Sequence, residues 1–161
     1  MKPGFALLAE LPEVVPVVAR WLFDEWGHER PGSSVEGIAE DIRSKLDPAG
    51  LPLQVLALSE GRPVGVAMLK PHEMKDVFPA RTPWLGSVVV APAYRRKGIG
   101  AGLTREVEEL ALSRGFARLY LQTERADGGV YARLGWATCD RLPYRGYQAN
   151  VMTKELLVGG G

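Results

Sequence analysis

One cysteine, Cys139, occurs in 161 residues. A lone thiol has no intramolecular partner, so a disulfide framework is excluded. Long apolar runs are missing too. The longest, Leu85 to Ala93, is broken by Gly86, Ser87 and Pro92, far short of the ~20 residues that cross a bilayer. Met1 to Ala9 is too short for a secretory leader, with only Lys2 as a basic flank. Neither sign of charge dominates: 20 basic and 19 acidic residues leave a formal net charge of +1, unlike the strongly basic balance of a general nucleic-acid binder. No linker, repeat or low-complexity tract occurs apart from Gly159-Gly160-Gly161. One soluble, cytoplasmic domain over residues 1–161 is expected, with 158–161 as a flexible tail and no membrane association.

Hydrophobic residues make up 46% of the chain, enough to build a core at this length and to argue against disorder. The 19 glycines and 12 prolines lie between apolar segments, so they read as turns joining many short elements. Phe5 to Ala9 is a candidate first strand. Leu11, Val14, Val15, Val18 and Leu22 recur at helical spacing, with Pro16 placed to kink or delay that helix. Ser33 and Glu36 form a capping-box pattern ahead of Ile38, Ile42 and Leu46, and Pro48 with Gly50 closes the helix. Leu53 to Leu58 and Val64 to Leu69 predict an antiparallel hairpin. Trp84 to Val90, nearly all apolar, predicts a central strand buried on both faces. A long helix follows from Gly98, with Gly115 as its C-terminal cap. Ala117–Leu121, Trp136–Cys139 and Gln148–Thr153 are expected as strands, and Val130–Leu134 as a short helix. The order β-α-α-β-β-β-α-β-α-β-β mixes antiparallel hairpins with one parallel crossover.

The segment Val88-Val89-Val90-Ala91-Pro92-Ala93-Tyr94-Arg95-Arg96-Lys97-Gly98-Ile99-Gly100-Ala101 is the most informative. A strand ends, a basic triplet follows, and spaced glycines open a helix. The first N–H groups of a helix lack partners and its dipole favours anions, so this is the chemistry of a phosphate site. A Walker A loop is excluded because no Gly-Lys-Ser/Thr follows, and the G-x-G-x-G spacing departs from the dinucleotide-binding G-x-G-x-x-G. The remaining pattern, Arg-x-x-Gly-x-Gly after Val-x-Pro, resembles the acyl-CoA pyrophosphate loop of the GNAT superfamily of N-acetyltransferases. Tyr131-Ala132-Arg133-Leu134-Gly135-Trp136 is similar to that superfamily's later Tyr-x-x-Leu-Gly-Phe segment, with Trp for Phe. Together they cover about Trp84 to Cys139.

The resemblance implies an α/β fold of the GNAT acyl-CoA N-acyltransferase type, a mixed sheet of six to seven strands flanked by about four helices. It implies acetyl transfer from acetyl-CoA to a primary amine by direct attack in a ternary complex, without a metal. It leaves a small-molecule amine, an antibiotic, or a protein or peptide N-terminus open as the acceptor. By motif position, the Val88 N–H would meet the thioester oxygen, and Val88, Val89 and Val90 would line the pantetheine arm. Backbone N–H groups from Arg96, Lys97, Gly98, Ile99, Gly100 and Ala101 would hold the pyrophosphate, with the Arg95 side chain nearby. Tyr131 matches the family's general acid. Many relatives place a Glu on the central strand as base, but Trp84 to Val90 contains none. His72, Glu73, His28 and Glu124 are the alternatives, beside a water chain or an already neutral amine. Glu124 also stands where relatives often carry a cofactor-binding Asn, a role that an acidic residue does not inherit. Cys139, without a neighbouring His, reads as a buried structural thiol.

For the acceptor, the resemblance points to the first helices, the segment before the central strand and the last hairpin. These hold Trp21, Trp26, His28, Trp84, Tyr144 and Tyr147, and Trp26 lies beside Asp24, Glu25 and Glu29. Residues 1–50 carry 9 acidic and 5 basic side chains, which suits a cationic acceptor. Two other classes compete: a non-catalytic acyl-CoA-binding or sensor module, and a nucleic-acid binder using Arg95 to Lys97. The acidic Glu106, Glu108 and Glu109 just downstream argue against the second. Homodimers are common in the superfamily, but nothing in the sequence shows an interface.

Overall fold

The structure is a computed structural model and describes residues 4–157; the expected tail at 158–161 lies outside them. The apolar runs become strands β1 (Gly4–Leu7), β2 (Leu53–Ser59), β3 (Arg62–Lys70), β4 (Trp84–Val90), β5 (Arg118–Thr123), β6 (Ala137–Tyr144) and β7 (Tyr147–Glu155). They form one sheet in the order β1-β2-β3-β4-β5-β7-β6. Every neighbouring pair is antiparallel except β4 with β5, which is parallel. The helices are α1 (Val15–Trp26), α2 (Val35–Arg43), α3 (Ile99–Ser113) and α4 (Gly129–Arg133).

Continuous apolar character in β2 and β3 reflects burial on both faces. Val55, Ala57, Ala67 and Leu69 pack with Ile99, Leu103, Val107 and Ala111 of α3. Their sequence neighbours Leu56, Val66 and Met68 face Val15, Val18 and Ala19 of α1 and Ala39 and Ile42 of α2. Fully buried Leu103 and Val107 contribute roughly 1.5–3 kcal/mol each by leaving water. A third cluster of Met74, Trp84, Tyr144, Ala149 and Val151 packs the segment before β4 against the β6–β7 end of the sheet.

Several boundaries differ from the sequence reading, each for a local reason. The first helix starts at Val15, after one-turn 3₁₀ segments at Leu8–Glu10 and Pro12–Val14. Pro12 and Pro16 lack the N–H a longer α-helix would need, and Pro16 falls in the first turn of α1, where this is harmless. The cap of α2 is Ser34, not Ser33: its Oγ accepts from the Gly37 N–H at 3.0 Å. That helix stops at Arg43, before Pro48. Most later strands run longer than expected, because β5, β6 and β7 pair along their lengths. Central β4 is not buried throughout: Gly86, Ser87, Val88 and Val90 are half-buried.

Candidate active site

The exposure of β4 has a backbone cause. Val66 faces Val89 and Met68 faces Gly86, which leaves Ala67 opposite both Ser87 and Val88. The extra residue is a β-bulge, and Ser87 takes the left-handed φ of +51°. Beside it, β4 and β5 share one register position, Trp84 with Tyr120, and the Tyr120 N–H donates to the Pro83 carbonyl at 3.2 Å. Beyond that point β5 stays with β7 as far as Thr123 and Asn150. Among the described residues, Gly86 to Val90 therefore have no strand on their β5 side.

At the far end of this open edge the chain turns into α3. Gly98 is the N-cap, at φ +81° and without a side-chain cap. The first intrahelical bond runs from the Gly102 N–H to the Gly98 carbonyl at 3.0 Å. The N–H groups of Ile99, Gly100 and Ala101 thus lack an intrahelical acceptor. The approach is open: a Cβ at Gly98 would meet nothing within 4 Å, and one at Gly100 only Val90 Cγ2 at 3.9 Å. Arg96 also holds a left-handed φ of +64°, and Lys97 Nζ lies 5.5 Å from the Tyr94 ring. These backbone donors, flanked by cations, fit a pyrophosphate. The Arg95 side chain turns back: Nε donates to the Val90 carbonyl at 3.0 Å and Nη2 to Glu25 Oε1 at 3.1 Å.

At the near end stands Glu73. A Cβ at Gly86 would collide with Glu73 Oε1 and lie 2.9 Å from its carboxyl carbon, so the carboxylate rests directly on β4, one residue before the bulge. Lys70 Nζ pairs with it at 3.1 Å. Fully buried Met74 anchors this segment, and His72, Glu73, Lys75 and Asp76 line a cavity of about 450 Å³ with Arg145. Tyr144 Oη donates to Asp76 Oδ1 at 2.8 Å, which with the nearby Arg145 guanidinium holds the Asp76 carboxyl below its usual range. Tyr147 Oη donates to Gln122 Oε1 at 2.6 Å. Burial raises its pKa, and the negative charges of Glu124 and Glu73 add to the rise.

Tyr131 is carried on α4, just past the end of β5, the strand across the split from Val88. It is half-buried and packs edge-on to Trp136, ring centroids 6.4 Å apart. Burial raises its pKa, and its hydroxyl has no hydrogen bond among the described residues.

The remaining sequence candidates are scattered. Trp84 is fully buried, with its indole N–H donating to the Arg81 carbonyl at 2.6 Å, so its side chain supports the site from beneath. Trp26 and His28 are exposed, and neither lines the cavity that holds Glu73. Trp21 packs against the α1–α2 core. Glu124 is exposed beyond β5. Cys139 corrects the expectation of burial: β6 is an edge strand, and this residue is exposed. Partial burial of its sulfur still raises the thiol pKa, the wrong direction for a nucleophile. Sequence reasoning missed Asp76, Lys75 and Arg145, because a contact between positions 76 and 145 leaves no local pattern. Gly86 was visible only as a break in an apolar run. Among the described residues no group of three or more His, Cys, Asp or Glu side chains is placed to hold a metal ion.

The sequence profile of the acetyltransferase (GNAT) family matches residues 15–136. The chain belongs to this family. As a GNAT acetyltransferase it is an acyltransferase, and its overall fold is that of solved relatives. An aminoglycoside 6′-acetyltransferase type Ii is 21% identical, with 96% of this chain and 98% of that one covered at a TM-score of 0.75. An aminoglycoside 6′-N-acetyltransferase complexed with coenzyme A is 18% identical, covering 98% and 99% at a TM-score of 0.74. A ribosomal-protein-alanine N-acetyltransferase from Brucella melitensis is 22% identical, covering 97% and 100% at a TM-score of 0.73. At these identities the likeness establishes the fold. No protein of curated function matches the sequence. No helix among the described residues is long and apolar enough to cross a membrane.

Proposed function

We propose that this GNAT protein transfers the acetyl group of acetyl-CoA to a primary amine by direct attack in a ternary complex. The observation that carries the reading is the unpaired edge of β4, with the Glu73 carboxylate at Gly86 and the open N-terminus of α3 beyond Val90. Four residue steps at ~3.3 Å make this track about 13 Å long, a length suited to an extended pantetheine arm lying as an added strand. Acetyl-CoA supplies the acetyl thioester. Backbone N–H groups from Arg96 to Ala101 hold its pyrophosphate, and pairing through the Val90 carbonyl requires Arg95 to swing away from it.

The residues divide the remaining work. Glu73 takes the proton that leaves the attacking amine, a role favoured over His28 and Glu124 by its contact with β4. The Val88 N–H, just past the bulge, donates to the thioester oxygen as charge builds there. Tyr131 Oη gives its proton to the departing sulfur. Its raised pKa keeps the phenol protonated, and alignment of the two substrates supplies the rest. The acceptors in the solved relatives' names, aminoglycosides and a ribosomal-protein alanine, mark the range to screen.

Thiol release from acetyl-CoA across an amine panel tests the reading. Amine-dependent release is expected, with Glu73→Gln lowering kcat by about 10²-fold or more. An unchanged kcat in Glu73→Gln removes the base, and full turnover by Tyr131→Phe at saturating substrate removes the acid. Silence across the panel, with acetyl-CoA binding intact, favours the non-catalytic module.

A further inference from the structure

We propose that the acceptor carries a carboxylate close to its reactive amine, as a free amino acid does; this rests on the acetyl-transfer reading above. The cavity at the Glu73 end of β4 holds both signs of charge, and its carboxylates already have partners. Glu73 pairs with Lys70 at 3.1 Å. Asp76 accepts from Tyr144 Oη at 2.8 Å and faces Arg145 Nη2 at 3.5 Å. The cations are less committed. Lys75 has no ion pair or hydrogen bond among the described residues, and the Arg145 side chain is 66% exposed. Its one ionic contact is longer than a good N–H···O bond, which leaves most of its five donors unused.

The placement of Arg145 makes it an anchor. Tyr144 pairs with Tyr147 across a two-residue hairpin turn in which Arg145 and Gly146 both hold left-handed φ values, +47° and +87°. The guanidinium carbon lies 5.0 Å from the Tyr144 ring centroid, and that ring is itself buried. The guanidinium is therefore held from two sides. A planar fork so presented suits bidentate capture of a carboxylate. Glu73, on the β4 wall, faces the amine. A volume of about 450 Å³ is within the range of small-molecule sites. A polycation would meet the like charges of Lys75 and Arg145 and find Glu73 and Asp76 already partnered, so the aminoglycosides of the solved relatives' names are disfavoured.

Acetylation of matched pairs tests this: lysine against cadaverine, histidine against histamine, tyrosine against tyramine, with kanamycin, spermidine and an uncharged peptide alongside. In at least one pair the amino acid is expected to exceed its decarboxylated partner at least tenfold in kcat/KM, and to exceed kanamycin, spermidine and the peptide. Arg145→Asn suits the positive φ and removes the charge; it should cut kcat/KM for the preferred amino acid at least tenfold and collapse the preference. Lys75→Gln should narrow the same ratio less. Decarboxylated amines, polycations or peptides equal to or better than amino acids overturn the proposal, as does a preference that survives both variants. Silence from every acceptor with acetyl-CoA binding intact overturns the acetyl-transfer reading itself.

Discussion

Glu73 and Tyr131 differ in how their environments prepare them. Glu73 is fixed by a cation and by contact with the strand, whereas Tyr131 is prepared by burial. Because burial raises the Tyr131 pKa, the phenol stays protonated beyond its ordinary value of ~10. Loss of kcat through this group is expected only above pH ~10, read from a pH–kcat profile of wild type against Tyr131→Phe. Stability follows the same sign. Tyr131, Tyr144 and Tyr147 all have folded pKa values raised, by burial first. Their contribution is whole below the unfolded value of ~10 and is lost as pH rises through the folded values. The urea midpoint should fall steadily above pH ~10, and Tyr131→Phe should lessen that fall. Cys139, exposed and with its thiol pKa raised, is expected to be dispensable: unchanged turnover in Cys139→Ser is the check.

At the scale of the element, two features of the segment from β4 to α3 do most of the functional work. The bulge at Ser87 opens the strand edge, and Gly86 leaves space for a carboxylate on the backbone. Gly86→Ala should leave the melting temperature nearly unchanged, since the displaced atoms are the free end of a long side chain. It should still lower kcat as Glu73→Gln does, because Glu73 loses its place. Full activity in Gly86→Ala would show that Glu73 need not rest there. Gly98→Ala is a different case. Space is available, but φ is +81°, and an L side chain there costs roughly 1–2 kcal/mol. The turn is expected to relax and weaken acetyl-CoA binding, measurable by calorimetry.

For the whole molecule, the near-neutral total conceals a distribution that folding rearranges. The acidic excess of residues 1–50 is partly offset from the later chain, where Arg95 pairs with Glu25. The cavity beside Glu73 is built instead from residues 72–76 and the β6–β7 turn, where Glu73 and Asp76 balance Lys75 and Arg145 in number. Ligation should be visible globally. A ligand at about 100 times its Kd adds about 2.7 kcal/mol to the folded state. Coenzyme A at that level should therefore raise the melting temperature by roughly 5–10 °C for a chain of this length. No shift would count against the α3 N-terminus as its site.

Local patterns determined the element order, the strand–basic–glycine–helix loop and the Tyr131 segment, because each is a property of neighbouring residues. Periodicity and spaced glycines act over a few residues, so β4, α3 and the β2–β3 hairpin were legible almost to their ends. Proline and capping chemistry shifted α1 and α2 by a few positions, since several nearby residues compete for the same helix terminus. Only the tertiary structure decided that β4 parts from β5, because an extra residue against β3 is a matter of register between strands. Only folding brought Glu73 onto Gly86, and Asp76, Lys75 and Arg145 into one cavity. Contacts across 13 or 69 positions depend on how the sheet and its third hydrophobic cluster pack, and no periodicity along the chain encodes them.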